Sequence, residues 1–266
     1  MRRSLLVTTG FAILIMPLSS FAGDCGDVNN DATINIFDIT CLISYLYMDG
    51  PGPLCGETGT MTDIDGNVYQ TIKIGDQWWM AENLKVTHYR NGDSIPNVTD
   101  AGEWQGLSMG AYCSYDNDEG QVSTCGRLYN WYAANDNRNI APEGWHIPSD
   151  EEWKQMEMYL GMSQAEADGE GYRGTNEGGK LKEAGTIHWF GPNIGATNES
   201  GFTALPGGYR YTINFHDKGH YAGFWSSTEN DSHDKAWWRG LYRNLANVGR
   251  GSNNKQDGFS VRCVKD

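Results

Sequence analysis

The sequence predicts an α+β protein, in which a domain of short antiparallel strands with one or two helices follows a small N-terminal loop-helix module. The chain has 34 glycines, 10 tryptophans and 14 tyrosines among 266 residues, a composition typical of short strands and tight turns. A strand-to-helix junction at residues 144–153 and alternating oxygen-bearing residues at 27–38 indicate the two parts. The length allows one sizeable core plus a small satellite module.

The first 22 residues have the pattern of a secretory signal peptide. Arg2 and Arg3 precede an apolar run, and Ser20 and Ala22 supply the small residues of a cleavage site after Ala22. The run is short for a membrane span, so we expect no membrane insertion after cleavage. The expected location is either secreted or at the cell surface, in the extracellular space or the periplasm. The formal charge of −14 argues against nucleic acid and anionic lipid as partners.

Residues 23–56 are predicted to form a calcium loop followed by one helix. Oxygen-bearing residues alternate through the loop, as suits the hard Ca²⁺ ion with its roughly six to eight oxygen ligands. The expected ligands are Asp27, Asn29, Asp31, the Thr33 carbonyl, Asn35 and Asp38. The segment resembles a single repeat of a type I dockerin, whose calcium loop ends in Asp and leads into a helix. Because no second repeat is found, docking to a cohesin stays open.

Six cysteines follow the signal peptide, and an oxidising compartment permits disulfides among them. Cys25 and Cys55 flank the small module and form one candidate pair. Cys113 and Cys125 bracket an acidic loop and form a second candidate pair, while Cys263 competes for either partner. Six cysteines allow 15 connectivities, so spacing alone leaves the pairing undecided.

Residues 57–266 are predicted to form the large domain, beginning with consecutive hairpins over residues 62–80. Turn residues at 65–67 and 75–76 separate runs of alternating apolar and polar character there. Residues 161–200 are rich in Gly, Asn and Glu, which predicts long surface loops. Short strand patterns follow, and the last one, with Cys263 on its apolar face, is expected to pair back into the sheet.

The junction at residues 144–153 predicts the helix around which the large domain packs. Ser149 and Glu152 form a Ser-x-x-Glu capping box, which marks a helix N-terminus. Trp153, Met156 and Leu160 then fall on one helical face. We therefore expect the aromatic strands to gather on this face.

Seven sequence blocks of the large domain occur in one order, at residues 65–69, 79–84, 128–131, 144–148, 201–208, 225–229 and 258–266. Together they resemble the Fibrobacter succinogenes major paralogous domain family, which implies an exported or surface protein of bacteria. The junction and the Gly-Phe-x-x-Arg-Cys end are also similar to the C-type lectin-like fold, which includes formylglycine-generating enzymes. Function does not follow from such a fold-level likeness.

Four tryptophans next to loops are the candidate ligand-binding residues: Trp189, Trp225, Trp237 and Trp238. An exposed indole can stack on a sugar ring or anchor a protein partner, whereas packing in the core is the alternative for each ring. The large domain is therefore expected to recognise a ligand through aromatic side chains.

Catalytic constellations are sparse in this sequence. Formylglycine-generating enzymes use two nearby cysteines on the final segment, and only Cys263 is present there. His216, Asp217 and His220 are weighed as metal ligands against a solvated loop, which the local Gly- and Tyr-rich sequence favours. We predict an exported non-catalytic binding protein for polysaccharide or a surface scaffold protein. The alternatives are a secreted enzyme, either glycoside hydrolase-associated or resembling the formylglycine-generating oxidases, and a purely structural envelope component.

Overall fold

A computed structural model describes residues 57–211, 213–231 and 233–266. The predicted signal peptide and calcium module, with Cys25 and Cys55, lie outside the described residues. The described chain forms a mixed α/β domain of mostly antiparallel strands with a few short helices, as the composition predicted. Within these ranges, no helix has both the length and the apolar character that crossing a membrane requires.

The strands are short, and most helices have only one or two turns. The strands are β1 (Thr58–Thr62), β2 (Val68–Ile74), β3 (Gln77–Met80), β4 (Tyr112–Cys113), β5 (Leu128–Tyr129), β6 (Trp145–His146), β7 (Gly171–Arg173), β8 (Tyr209–Tyr211), β9 (Asn214–His216), β10 (Tyr221–Glu229), β11 (Lys235–Tyr242), β12 (Val248–Asn254) and β13 (Val264–Lys265). The α-helices are α1 (Ala101–Gln105), α2 (Val122–Cys125), α3 (Trp131–Ala134), α4 (Asp150–Tyr159), α5 (Gln164–Asp168) and α6 (Glu177–Leu181).

The first sheet has five strands in the order β1-β2-β3-β13-β6, and the end of the chain lies inside it. Strands β1 to β3 form the predicted consecutive hairpins. Gly66 and Gly75 lie in their turns with φ of 81° and 62°, a conformation that costs glycine little. Val264 of β13 pairs with both Trp79 and His146, so the last strand pairs back into the sheet as predicted.

The second sheet has four antiparallel strands in the order β10-β11-β12-β7. A separate hairpin of β8 and β9 lies near it, and Gly208 at the start of that hairpin bridges Ala222 of β10. The prediction of long surface loops over residues 161–200 is wrong for the stretch that forms α5, β7 and α6. Ser163 and Glu166 form a second capping box that starts α5, and β7 becomes the edge strand of this sheet.

Helix α4 connects the cores of the two sheets. It begins with the predicted capping box of Ser149 and Glu152. The Trp153 ring lies 4.8 Å from the ring of Trp79 on the first sheet and 5.8 Å from that of Phe224 on the second, measured between centroids. Burial of such large rings is the main apolar stabilisation available to a short helix. The gathering of aromatic residues on this helix is therefore confirmed.

A buried network of charged groups fixes α4 to the second sheet. Asp150 accepts hydrogen bonds from Arg239 of β11 and Arg250 of β12, each at 2.7 Å. Glu157 accepts bonds from Arg239 and from Arg173 of β7, each at 2.6 Å. All five residues are at most 7% exposed. Because water hardly reaches these charges, the opposite charges of the network must stabilise one another. The network occupies one face of the second sheet and does not extend to the opposite face.

Candidate ligand-binding cleft

A cleft of about 340 Å³ opens between the free face of the second sheet and the β8–β9 hairpin. This volume is within the range of small-ligand sites, about 300–1,000 Å³. Seven of its nine lining residues are aromatic, and the full set is Tyr172, Tyr209, Tyr211, Asp217, Tyr221, Trp238, Tyr242, Asn253 and Phe259. We call this set the tyrosine cleft.

A row of glycines forms the floor of the tyrosine cleft. Gly223, Gly240 and Gly249 pair directly with one another across β10, β11 and β12. A Cβ atom on Gly240 would collide with the ring of Trp238 and the hydroxyl of Tyr221. The missing side chains therefore let aromatic rings from neighbouring positions lie close against the sheet.

The edge of the floor is built in the same way at β7. Tyr172 pairs with Gly249, and a Cβ on Gly249 would lie 3.2 Å from Cε1 of the Tyr172 ring and 3.4 Å from Cη2 of Trp238. One glycine thus makes room for two rings. The floor of the cleft therefore lies where three neighbouring strands have glycine at paired positions.

The walls are rings set at different angles to one another. Phe259 lies at the bottom, 1% exposed, with Tyr209 stacked on it at 5.6 Å and Trp238 at 6.2 Å between centroids. Tyr221 stands edge-on to Tyr209 at 5.4 Å and to Trp238 at 6.1 Å. Tyr211 is 46% exposed and lies at the rim. Stacked and edge-on pairs are both favoured geometries of aromatic clusters, and the rings with faces exposed to solvent are Tyr211 and Tyr172, each 46% exposed.

One carboxylate belongs to the cleft. Asp217 follows β9 with φ of 58°, and its backbone carbonyl accepts bonds from the N–H groups of His220 and Tyr221, each at 2.9 Å. Burial raises the pKa of Tyr209 and Tyr221, and the negative charge of Asp217 raises both further. These phenols therefore stay protonated and can donate hydrogen bonds at any physiological pH.

A scan against family models matches residues 72–265 to the Fibrobacter succinogenes major domain. The chain belongs to this family. The matched range includes every residue of the tyrosine cleft. A search of the curated proteins and a search of the solved structures found no match.

The Fibrobacter major domain places one of the four predicted ligand-binding tryptophans, Trp238, in the tyrosine cleft. Trp237 precedes it on β11 and faces the other side of the sheet, where the Arg250 guanidinium lies 3.8 Å from the centre of its ring. Alternation along a strand explains why two adjacent tryptophans have different surroundings.

The two remaining candidates are core residues. Trp189 and Trp225 are both 0% exposed. Their indole N–H groups donate to the backbone carbonyls of Ala204 at 3.0 Å and Tyr129 at 2.9 Å. Because no face of either ring reaches solvent, the structure corrects the prediction that they contact a ligand.

The predicted disulfide between Cys113 and Cys125 is not formed. Both are free thiols, as is Cys263, within the part of the chain that the structure describes. Cys113 packs in a cluster with Trp104, and Cys125 ends α2, so the two side chains belong to different surroundings. Burial raises the pKa of Cys113 to about 11 and raises that of the completely buried Cys263 further. The disposition of Cys25 and Cys55 lies outside the described residues.

The histidines near Asp217 serve the aromatic packing. His216 stacks on Tyr209 at 5.5 Å, and His220 meets Phe190 edge-on at 5.0 Å. Across residues 57–266, leaving aside 212 and 232, no group of three or more His, Cys, Asp or Glu side chains converges as a metal site. The predicted calcium ligands, Asp27 to Asp38, lie outside these residues.

Sequence reasoning missed most of the tyrosine cleft. Its lining comes from five strands, the turn after β9 and the segment before β13, and no local pattern joins them. One available signal was the spacing of tyrosines between residues 209 and 242. A second was the recurrence of glycine in three neighbouring strands, which marks close approach to a backbone.

Proposed function

We propose that this protein is an exported, non-catalytic binding protein that recognises carbohydrate at the cell surface through the tyrosine cleft. The observation that carries the proposal is the cleft itself. It combines the exposed rings of Tyr172 and Tyr211, which can stack on the apolar faces of sugars, with phenol hydroxyls and an Asn253 amide that can bond to sugar hydroxyls. A protein scaffold is the other partner class considered from the sequence.

The arrangement suits binding better than reaction. Thiol chemistry needs an accessible thiolate, whereas Cys263 is 0% exposed and burial raises its pKa. The carboxylate of the cleft, Asp217, has no second carboxylate beside it in the lining, and acid–base hydrolysis of a glycoside uses a pair. These observations support recognition without turnover.

The remaining parts of the proposal concern the whole chain. We propose that residues 1–22 direct export, that residues 23–56 form a dockerin-like module holding Ca²⁺ through Asp27, Asn29, Asp31, Thr33, Asn35 and Asp38, and that residues 57–266 have a C-type-lectin-like arrangement. Support for the last point is the capped helix α4 and the pairing of the terminal strand between β3 and β6. Calorimetry of the mature chain with Ca²⁺ tests the module, because Asp27→Ala and Asp38→Ala should abolish the heat of binding.

A glycan array probed with the mature protein tests carbohydrate recognition. The wild-type protein should retain a glycan that Trp238→Ala loses, with affinity falling at least about tenfold, or about 1.4 kcal/mol. Trp237→Ala is the matched control, since it removes the adjacent indole from the opposite face of the same strand. Thermal unfolding of both variants checks that the fold persists. Retention of no glycan, or equal losses from both variants, would refute the proposal.

A further inference from the structure

The rings of the tyrosine cleft differ from most other aromatic rings of the domain in one respect. Among the described residues, twelve rings carry the positive group of an Arg or Lys side chain over them. None of the seven cleft rings is among these twelve. The domain thus places its own cations over many of its aromatic rings, and places none over the rings of this cluster.

The charge of the cleft has the sign that would attract a cation. Asp217 is its one charged lining residue. The adjacent Lys218 turns away, since its ammonium bonds to the Gln121 side chain and lies 5.7 Å from the ring centre of Tyr115. Arg250 is held on the opposite face of the sheet by Asp150. No basic side chain of the lining therefore competes with a cation from outside.

Ring faces and a carboxylate act together on a positive group. A cation is attracted to the electron-rich face of Tyr or Trp when it lies within about 6 Å of the ring centre. Tyr221 stands edge-on to both Tyr209 and Trp238, so the three rings do not form a flat platform. A flat platform suits a neutral sugar chain, whereas rings set edge-on to one another beside a carboxylate suit an ammonium group.

From this geometry we infer that the tyrosine cleft selects a glycan whose sugar carries a free ammonium group, that is, a hexosamine that is not N-acylated. The inference rests on the carbohydrate recognition proposed above and specifies its ligand class. The ammonium lies against the ring faces near Asp217, and the pyranose stacks on the rim at Tyr211 or Tyr172. Acylation of the amine removes the charge, and a uronate reverses it, so both weaken binding.

Three soluble disaccharides of similar size separate the possibilities: β-1,4-linked diglucosamine, its di-N-acetyl form and cellobiose. Calorimetry with the mature chain, at mildly acidic pH and physiological salt, should show diglucosamine binding at least tenfold more tightly than the other two. Asp217→Asn should reduce this preference to less than threefold. Trp238→Ala should weaken binding of all three sugars.

The acidic surface of the chain could also attract amines without selectivity, and a second variant controls for this. Asp76→Asn neutralises an exposed carboxylate in the turn between β2 and β3, outside the cleft lining. It should leave the preference for diglucosamine intact. If Asp76→Asn and Asp217→Asn lower the preference equally, the inference is overturned.

The two proposals fail in different ways. Equal affinity for the three disaccharides, or tighter binding of cellobiose, overturns the ammonium inference and leaves carbohydrate recognition standing. If none of the disaccharides binds and the glycan array is also empty, both proposals fall.

Discussion

Arg250 Nη2 donates a hydrogen bond to Asp150 Oδ2 at 2.7 Å, although the two residues lie 100 positions apart in the chain. This bond joins the first turn of α4 to β12, and Arg239 adds a second bond to the same carboxylate. The opposite face of these strands carries the glycine floor of the tyrosine cleft. The charged network and the cleft are therefore two faces of one sheet.

The Asp150 carboxylate makes the free energy of unfolding depend on pH in the acid range. Burial opposes its ionisation, but Arg250 and Arg239 more than compensate and hold the pKa of Asp150 at about 2, below the ordinary value of 3.8. A lowered pKa stabilises the fold fully above the unfolded value, and this contribution is lost as pH falls from about 4 to about 2. The loss is about 2 kcal/mol of unfolding free energy.

Urea unfolding of the wild type and Asp150→Asn across this pH range measures the effect. The variant takes the Asp150 carboxylate away from two buried arginines and should be less stable by about 3–5 kcal/mol near neutral pH. The gap should narrow by about 2 kcal/mol at the acid end of the range. A gap that stays constant with pH would show that Asp150 does not titrate with folding. Asp76→Asn serves as the charge-matched control.

His146 gives stability the opposite dependence on pH. Its Nδ1 lies 2.6 Å from Asp266 Oδ1 and its Nε2 2.7 Å from Glu152 Oε1. Partial burial opposes protonation, but the two carboxylates prevail and raise the pKa of His146 above 6.5. A raised pKa stabilises the fold fully below the unfolded value of 6.5, and this stability is lost as pH rises through the folded pKa.

Thermal unfolding of the wild type and His146→Gln should therefore show a difference in Tm that shrinks as pH rises above 6.5. Asp266→Asn removes one of the two partners without touching the helix cap, so it should show an intermediate dependence. Parallel pH profiles for all three proteins would contradict the assignment.

The glycine floor should not tolerate a methyl group at its centre. Gly240→Ala forces the Trp238 and Tyr221 rings away from the sheet, because its Cβ would collide with both. Overpacking of this kind costs about 1–3 kcal/mol of unfolding free energy, and the displaced rings should abolish glycan binding. Gly251→Ala is the matched control, since its Cβ would lie 3.4 Å from the Trp238 ring, an ordinary contact.

Chemical denaturation and array binding of the two alanine variants check this together. Wild type and Gly251→Ala should have similar unfolding free energies and similar glycan binding. Gly240→Ala should have lower values of both. If Gly240→Ala binds glycan normally, the positions of the Trp238 and Tyr221 rings do not depend on the glycine floor.

The local features of the domain were predictable from the sequence, and the cleft was not. The cap at Ser149 and the apolar stripe from Trp153 depend on residues three or four apart, so sequence spacing reveals them. The alignment of Gly223, Gly240 and Gly249 depends on the register of three strands, which no short window contains. The burial of Arg239 likewise becomes intelligible only when Asp150 and Glu157 are brought to it.

The cleft is assembled from two separable parts of the chain. Its floor belongs to the central strands, while Tyr209, Tyr211 and Asp217 come from a hairpin of fewer than a dozen residues. An engineer could exchange that hairpin for others and obtain new specificities on an unaltered foundation, much as grafted loops re-target an antibody framework.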